Sequence, residues 1–261
     1  MGEWYTLYSG IYGSISLNGG CMRINKYIAS SGVCSRRKAE EFIVQGFVTV
    51  NGIKAELSTT VEEGDTVLLK GKPVTPKKEH VVLLFNKPVG ITCTTELHVK
   101  GNIISYINYP ERIFPIGRLD KDSQGLILLT NDGDLVNECL RVENGHEKEY
   151  IVRVDKPVTP QFIKKMSEGV QIYNPVTDSN VVTLPCKVTK LGEKTFRIVL
   201  KQGYNRQIRR MCSAFSYNVT SLKRVRFMFL NLDVKQGEYR LLTEKEMEKL
   251  KFLANKNVNV Q

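Results

Sequence analysis

The chain has 261 residues, 41% hydrophobic and 25% charged, a balance that can bury a sizeable core and excludes wholesale disorder. Its longest apolar runs, Val81 to Phe85 and Leu126 to Leu129, fall far short of the roughly 18 residues that cross a bilayer, so no membrane partner is expected. Lysine and arginine outnumber the acidic residues 38 to 27, and a chain with formal charge +11 most often meets nucleic acid.

Met1 to Cys21 carries one charge, Glu3, and has neither the basic start nor the apolar run of a signal peptide. At Met22 the sequence turns charged and periodic. Residues 1–21 are therefore expected to be a disordered or extraneous tail. Ile24, Tyr27 and Ile28 recur at helical spacing until Ser31-Gly32, and Ser35 can cap a second helix carrying Ala39, Phe42 and Ile43. Phe47 to Val50 reads as a strand, Asn51-Gly52 as a hairpin turn, and Thr66 to Leu69 as a further strand. The Pro- and Lys-rich stretch 71–80 lacks an apolar period and reads as a linker.

Beyond it, strands are expected at Val81 to Phe85, Gly125 to Thr130, Glu149 to Asp155, Lys194 to Leu200 and Val225 to Leu232, with a helix over Thr159 to Gly169. This mixture lacks a regular strand–helix alternation. It indicates an α+β fold on a largely antiparallel sheet over residues 81–250, followed by a C-terminal tail, 251–261. Six scattered cysteines without C-x-x-C spacing, and isolated His80, His98 and His146, give no metal site and suggest reduced thiols in a cytoplasmic protein. No nucleotide-binding glycine loop or S-adenosylmethionine motif is present, so no cofactor is expected.

The basic charge is clustered. Arg23, Lys26, Arg36, Arg37 and Lys38 fall at the starts of the first two helices, where backbone N–H groups also favour phosphate. With "GFVTVNG" and "VEEGDTV" after them, residues 22–70 resemble the S4 RNA-binding domain. A second group, Lys201, Arg206, Arg209, Arg210, Lys223, Arg224 and Arg226, lies in a stretch free of acidic residues. Tyr204, Phe215 and Tyr217 are interleaved with it and offer stacking faces, although Phe215 reads better as core.

One segment invites chemistry: RIFPIGRLDKDSQGLILLTNDGDLVN, Arg112 to Asn137. Taken alone, Asp120 in its Gly-Arg-Leu-Asp reads as a loop carboxylate, and Asp122, Asp132 and Asp134 as turn residues. Its companions are Asn86-Lys87-Pro88-Val89-Gly90-Ile91, Lys148-Glu149-Tyr150, and Gly203 to Met211 (GYNRQIRRM). In this order the four motifs resemble type A of the small-subunit ribosomal pseudouridine synthases, in which an S4 domain precedes the catalytic domain. The wording around the motifs is most similar to that of the large-subunit enzymes of type F.

That resemblance implies isomerisation of a uridine in RNA, with large-subunit ribosomal RNA as partner and a tRNA left open as a second substrate. It makes Asp120 the catalytic carboxylate, attacking ribose C1′ or taking a proton from C2′. Arg209 becomes its ion-pair partner, with Arg206 the runner-up and a phosphate contact as the alternative role for Arg209. Tyr150 would stack on the target base, Arg118 would fill the gap left by the extruded uridine, and Arg206, Arg210 and Lys87 would contact RNA. A monomer is expected. A catalytically dead assembly factor is the competing class, and the joint presence of Asp120, Tyr150 and Arg209 argues against it. A methyltransferase or nuclease would need a cofactor loop or paired metal carboxylates, and neither is present.

Overall fold

The computed structural model describes residues 21–141 and 145–255. The expected tail, apart from Cys21, and the last six residues lie outside the described residues. Contacts divide the chain at His80/Val81 into two units.

The first unit comprises β1 (Met22–Arg23), α1 (Ile24–Ser30), α2 (Arg36–Val44), β2 (Val48–Val50), β3 (Ile53–Lys54), β4 (Thr60–Val61), β5 (Val67–Leu69) and β6 (Lys72–Pro73). Ser35 caps α2 by accepting the Lys38 N–H at 3.1 Å, a contribution of about 1 kcal/mol. Ala39 and Ile43 on α2 share a buried core with Ile24, Tyr27 and Ile28 on α1. Asn51 and Gly52 both have positive φ, 51° and 83°, as the tight β2–β3 turn requires.

The stretch 71–80 does not behave as a free linker. Lys70 and Gly71 repeat the positive-φ pair, at 50° and 73°, and turn β5 back onto β6. Val74 is buried in the small core, and the Lys77 N–H donates to Ser30 O at 3.1 Å. Composition suggested a linker because a two-residue hairpin needs no apolar period to form.

In the second unit β7 (Val82–Lys87) leads to α3 (Ile103–Ile107), β8 (Phe114–Ile116), β9 (Gln124–Thr130) and α4 (Gly133–Leu140). Then come β10 (Lys148–Val154), α5 (Pro160–Ser167), β11 (Gln171–Asn174), β12 (Ser179–Val182), β13 (Lys187–Gly192) and β14 (Thr195–Leu200). Finally α6 (Gln207–Ser213), β15 (Val219–Phe227), β16 (Leu230–Asn231), β17 (Tyr239–Leu241) and α7 (Glu244–Asn255) complete the described chain. One nine-stranded sheet dominates, in the order β13-β14-β10-β15-β9-β7-β17, with β16 on β15 and β8 on β9. Its pairings are antiparallel except β9 with β15, so the unit is α+β as expected.

Two boundaries differ from expectation. The strand expected over Val225 to Leu232 starts earlier, at Val219, and breaks at Met228, whose φ is 54°. The helix α7 runs five residues into the expected C-terminal tail and buries Leu250 and Ala254, because nothing between Glu244 and Asn255 breaks a helix. Asp132 does cap α4, accepting the N–H groups of Asp134 and Leu135. Tyr150, on β10, packs against both the core under α5 and α6 and the core beside α3.

Candidate active site

The loop from Gly117 to Ser123 joins β8 to β9 and carries Asp120. Three contacts fix it. The Ser123 N–H closes back on Asp120 O at 3.0 Å, the Gly90 N–H donates to Lys121 O at 2.8 Å, and the Leu119 N–H meets Cys93 Sγ at 3.5 Å. Burial pushes the Cys93 thiol up, so it accepts there as a neutral group.

At Gly125 the loop delivers the chain into β9 alongside β15. A Cβ there would lie 2.2 Å from Arg224 O, and φ is +105°, so only glycine permits this approach. The parallel register of Arg224 with Gly125 sets the Asp120 loop beside β15, and Tyr150 on β10 lies directly opposite Arg224.

Two arginines reach the loop from α6. Arg206 is the N-cap, in the left-handed region at φ 51°, and its Nη1 is 3.7 Å from Asp120 Oδ2. It also forms a two-pronged pair with Asp122, at 3.1 and 3.0 Å. Arg209 Nη2 lies 3.3 Å from Asp122 Oδ2 and donates to Asp122 O at 2.9 Å, while its Nη1 donates to Val219 O at 3.1 Å. The Arg206 guanidinium bonded to Asp122 is the leading cause that holds the Asp122 carboxyl below its usual range.

This geometry corrects the sequence reading. The cation beside Asp120 is Arg206, not Arg209, because Arg209 directs its donors to Asp122, Ser123 and Val219. Asp122, read as a turn residue, is the main partner of both arginines. Lys87 cannot contact RNA here: it is fully buried, and its ammonium donates to Pro88 O at 2.9 Å and Ile91 O at 2.8 Å. Burial is the main cause that lowers its pKa, opposed by Cys93, Asp120 and Asp122. Sequence spacing carries no sign of burial for a lysine that ends a strand.

The second basic group also divides. Arg224 is buried with Nε on Leu126 O at 2.6 Å, and Arg226 pairs with Glu147 and Glu149, each at 3.0 Å. Tyr217 stacks on Phe162 at 4.2 Å and donates to Pro157 O, so it is not a free stacking face. Arg118, Tyr204, Arg206 and Arg210 remain at the surface to varying degrees, with Arg210 Nε on Asn205 O at 3.1 Å. In the first unit Arg23, Arg36, Arg37 and Lys38 are exposed and Lys26 is half-buried. Sequence reasoning also passed over Lys148 as a titratable group: burial, reinforced by Arg224, brings its ammonium down to about 8. Among the described residues no three His, Cys, Asp or Glu side chains converge as metal ligands, and no helix is long and apolar enough to cross a membrane.

Four motifs around one loop carboxylate, preceded by a small unit of two helices and six short strands, mark a class of RNA-modifying isomerase, and two family models match accordingly. The RNA pseudouridylate synthase model matches residues 81–214 and the S4 domain model residues 22–67. The chain belongs to the RNA pseudouridine synthase family: it isomerises uridine to pseudouridine in RNA. It is 52% identical over 228 residues to the dual-specificity RNA pseudouridine synthase RluF of Salmonella typhi, covering 86% of this chain and 77% of that one. It is 35% identical to the ribosomal large subunit pseudouridine synthase B of Bacillus subtilis, covering 91% and 98%. A solved pseudouridylate synthase at 29% identity superposes with a TM-score of 0.64, covering 88% of this chain and 99% of that one. The RluF relative agrees with the resemblance to the large-subunit enzymes of type F, which describes this chain better than the small-subunit label.

Proposed function

We propose that the substrate is large-subunit ribosomal RNA, that a second RNA such as a tRNA is also modified, and that Asp120 is the reacting carboxylate. The observation that carries the chemistry is the position of Asp120: among the described residues it meets a cation only at Arg206 Nη1, 3.7 Å away, and so keeps most of its lone pairs open. The dual-specificity and large-subunit names of its relatives support the choice of RNA.

The C1′–N1 bond of the uridine breaks, the base turns, and C5 bonds to C1′ in place of N1, giving up its proton to solvent while N1 takes one up. Asp120 either attacks C1′ or removes the C2′ proton. Tyr150, half-buried at the junction of two cores, stacks on the extruded uracil in this reading. Arg118, in the same loop and exposed, fills the gap in the RNA stack, while Arg206 and Arg210 meet phosphate. The S4 unit adds Arg23, Lys26, Arg36, Arg37 and Lys38 as sequence-independent RNA contacts. The protein acts as a monomer in the cytoplasm.

The test is Asp120→Asn, which keeps shape and removes the negative charge. Tritium release from C5-labelled large-subunit RNA should fall to background, while filter binding of the same RNA persists. Turnover by a folded, RNA-bound variant would overturn the role of Asp120. Mapping pseudouridines in ribosomal RNA from cells lacking the gene tests the substrate: persistence of every site would overturn it.

A further inference from the structure

We propose that Asp122 is a positioning residue of the reaction, engaging the Arg206 guanidinium so that the carboxylate oxygens of Asp120 stay open to substrate. The inference rests on the reading of Asp120 as the reacting carboxylate. Two carboxylates compete for two guanidinium planes. Asp122 takes both prongs of Arg206 at 3.1 and 3.0 Å and one edge of Arg209 at 3.3 Å, whereas among the described residues Asp120 receives only Arg206 Nη1 at 3.7 Å. A carboxylate in a two-pronged pair with arginine has most of its lone pairs engaged, and its nucleophilicity and basicity both fall. The arrangement places that burden on Asp122 and spares Asp120.

Three further observations show that the clamp is built in. The backbone of Arg206 is left-handed at φ 51° and ψ 33°, a conformation that a bulky side chain keeps only when its surroundings impose it. The turn before it is locked by Gln207, whose N–H donates to Tyr204 O at 3.1 Å while its Oε1 accepts the Tyr204 N–H at 3.0 Å. Arg209 is tied to the same loop a second time through Asp122 O at 2.9 Å. Nor does Asp122 fill a core, since its side chain is 46% exposed. The charged and titratable groups around this pair are Arg206 and Arg209 from α6, Lys87 at the end of β7, Cys93 beyond it, and Arg118, Asp120 and Asp122 in one loop.

Neutralising Asp122 should let Arg206 swing fully onto Asp120. Asp122→Asn is then expected to lower kcat about tenfold or more, with KM for RNA unchanged or lower because an anion near phosphate is gone. A lost RNA contact would instead raise KM, so the split of kcat from KM separates the two roles. Asp122→Glu, which restores the charge, should return kcat towards wild type.

The decisive measurement is the double variant. If Asp122 acts through Arg206, adding Asp122→Asn to Arg206→Gln should change kcat no further than Arg206→Gln alone. Multiplicative losses, or a wild-type kcat in a folded Asp122→Asn protein, would overturn the proposal. Asp122→Ser removes the same charge and reads the same kcat and KM should Asp122→Asn fail to fold. Asp120→Asn runs in parallel: turnover there would refute the catalytic role of Asp120, a failure distinct from an additive double variant.

Discussion

Gly125→Ala should damage stability and activity together, because one backbone position serves both. At φ +105° an alanine would sit in a region that costs on the order of 1–3 kcal/mol. Its Cβ would also meet Arg224 O at 2.2 Å, Arg224 N at 2.7 Å and Arg224 C at 2.9 Å, all backbone atoms that cannot rotate away. Relief requires β9 and β15 to separate, losing hydrogen bonds worth about 1 kcal/mol each. The variant should therefore lose on the order of 3–5 kcal/mol in denaturant unfolding. The same separation displaces the Asp120 loop, which enters β9 a few residues earlier, so tritium release should fall even where the protein remains folded. A stability within about 0.5 kcal/mol of wild type, with full turnover, would refute the close-approach argument.

Two further changes separate structure from chemistry. Lys87→Met leaves the carbonyls of Pro88 and Ile91 without their donor and should lower the melting temperature. The slope of RNA affinity against salt should stay as in wild type, because the ammonium is buried; a slope reduced by about one would contradict that placement. Glu246, bonded to Arg240, has its carboxyl held down to about 2, below its unfolded value of roughly 4.3. It contributes stability above the unfolded value and loses it as pH falls towards 2, so the stability gap between wild type and Glu246→Gln should close over that interval. A gap independent of pH there would contradict the pairing.

Local patterns were legible where local chemistry decides. The Ser35 cap, the Asn51-Gly52 turn and the apolar strand after Gly125 announce themselves because each depends on neighbours within a few residues. The motifs likewise identified the reaction, since four segments in one order leave few families. What sequence could not show was which cation meets which anion. Arg206 and Arg209 lie on the same helix start, and Asp120 and Asp122 on the same loop, so spacing allows either pairing. The choice is made by the left-handed turn at Arg206 and by Val219 O holding Arg209, both consequences of tertiary packing. Lys87 and Arg224 were misread for a related reason: a charged residue's burial depends on strands that arrive much later in the chain.

The parallel pairing of β9 with β15 also has a kinetic meaning. The bond from Arg224 to Leu126 spans 98 residues, and those from Arg206 to Asp122 span 84. Contacts so distant in sequence close slowly, because loop-closure entropy must be overcome before any of them forms. No short contiguous segment therefore contains a nascent active centre. On the ribosome, the chain must be translated past Phe227 and β15 must dock before the Asp120 loop and Arg206 are both held in place, so enzymatic competence comes late in folding.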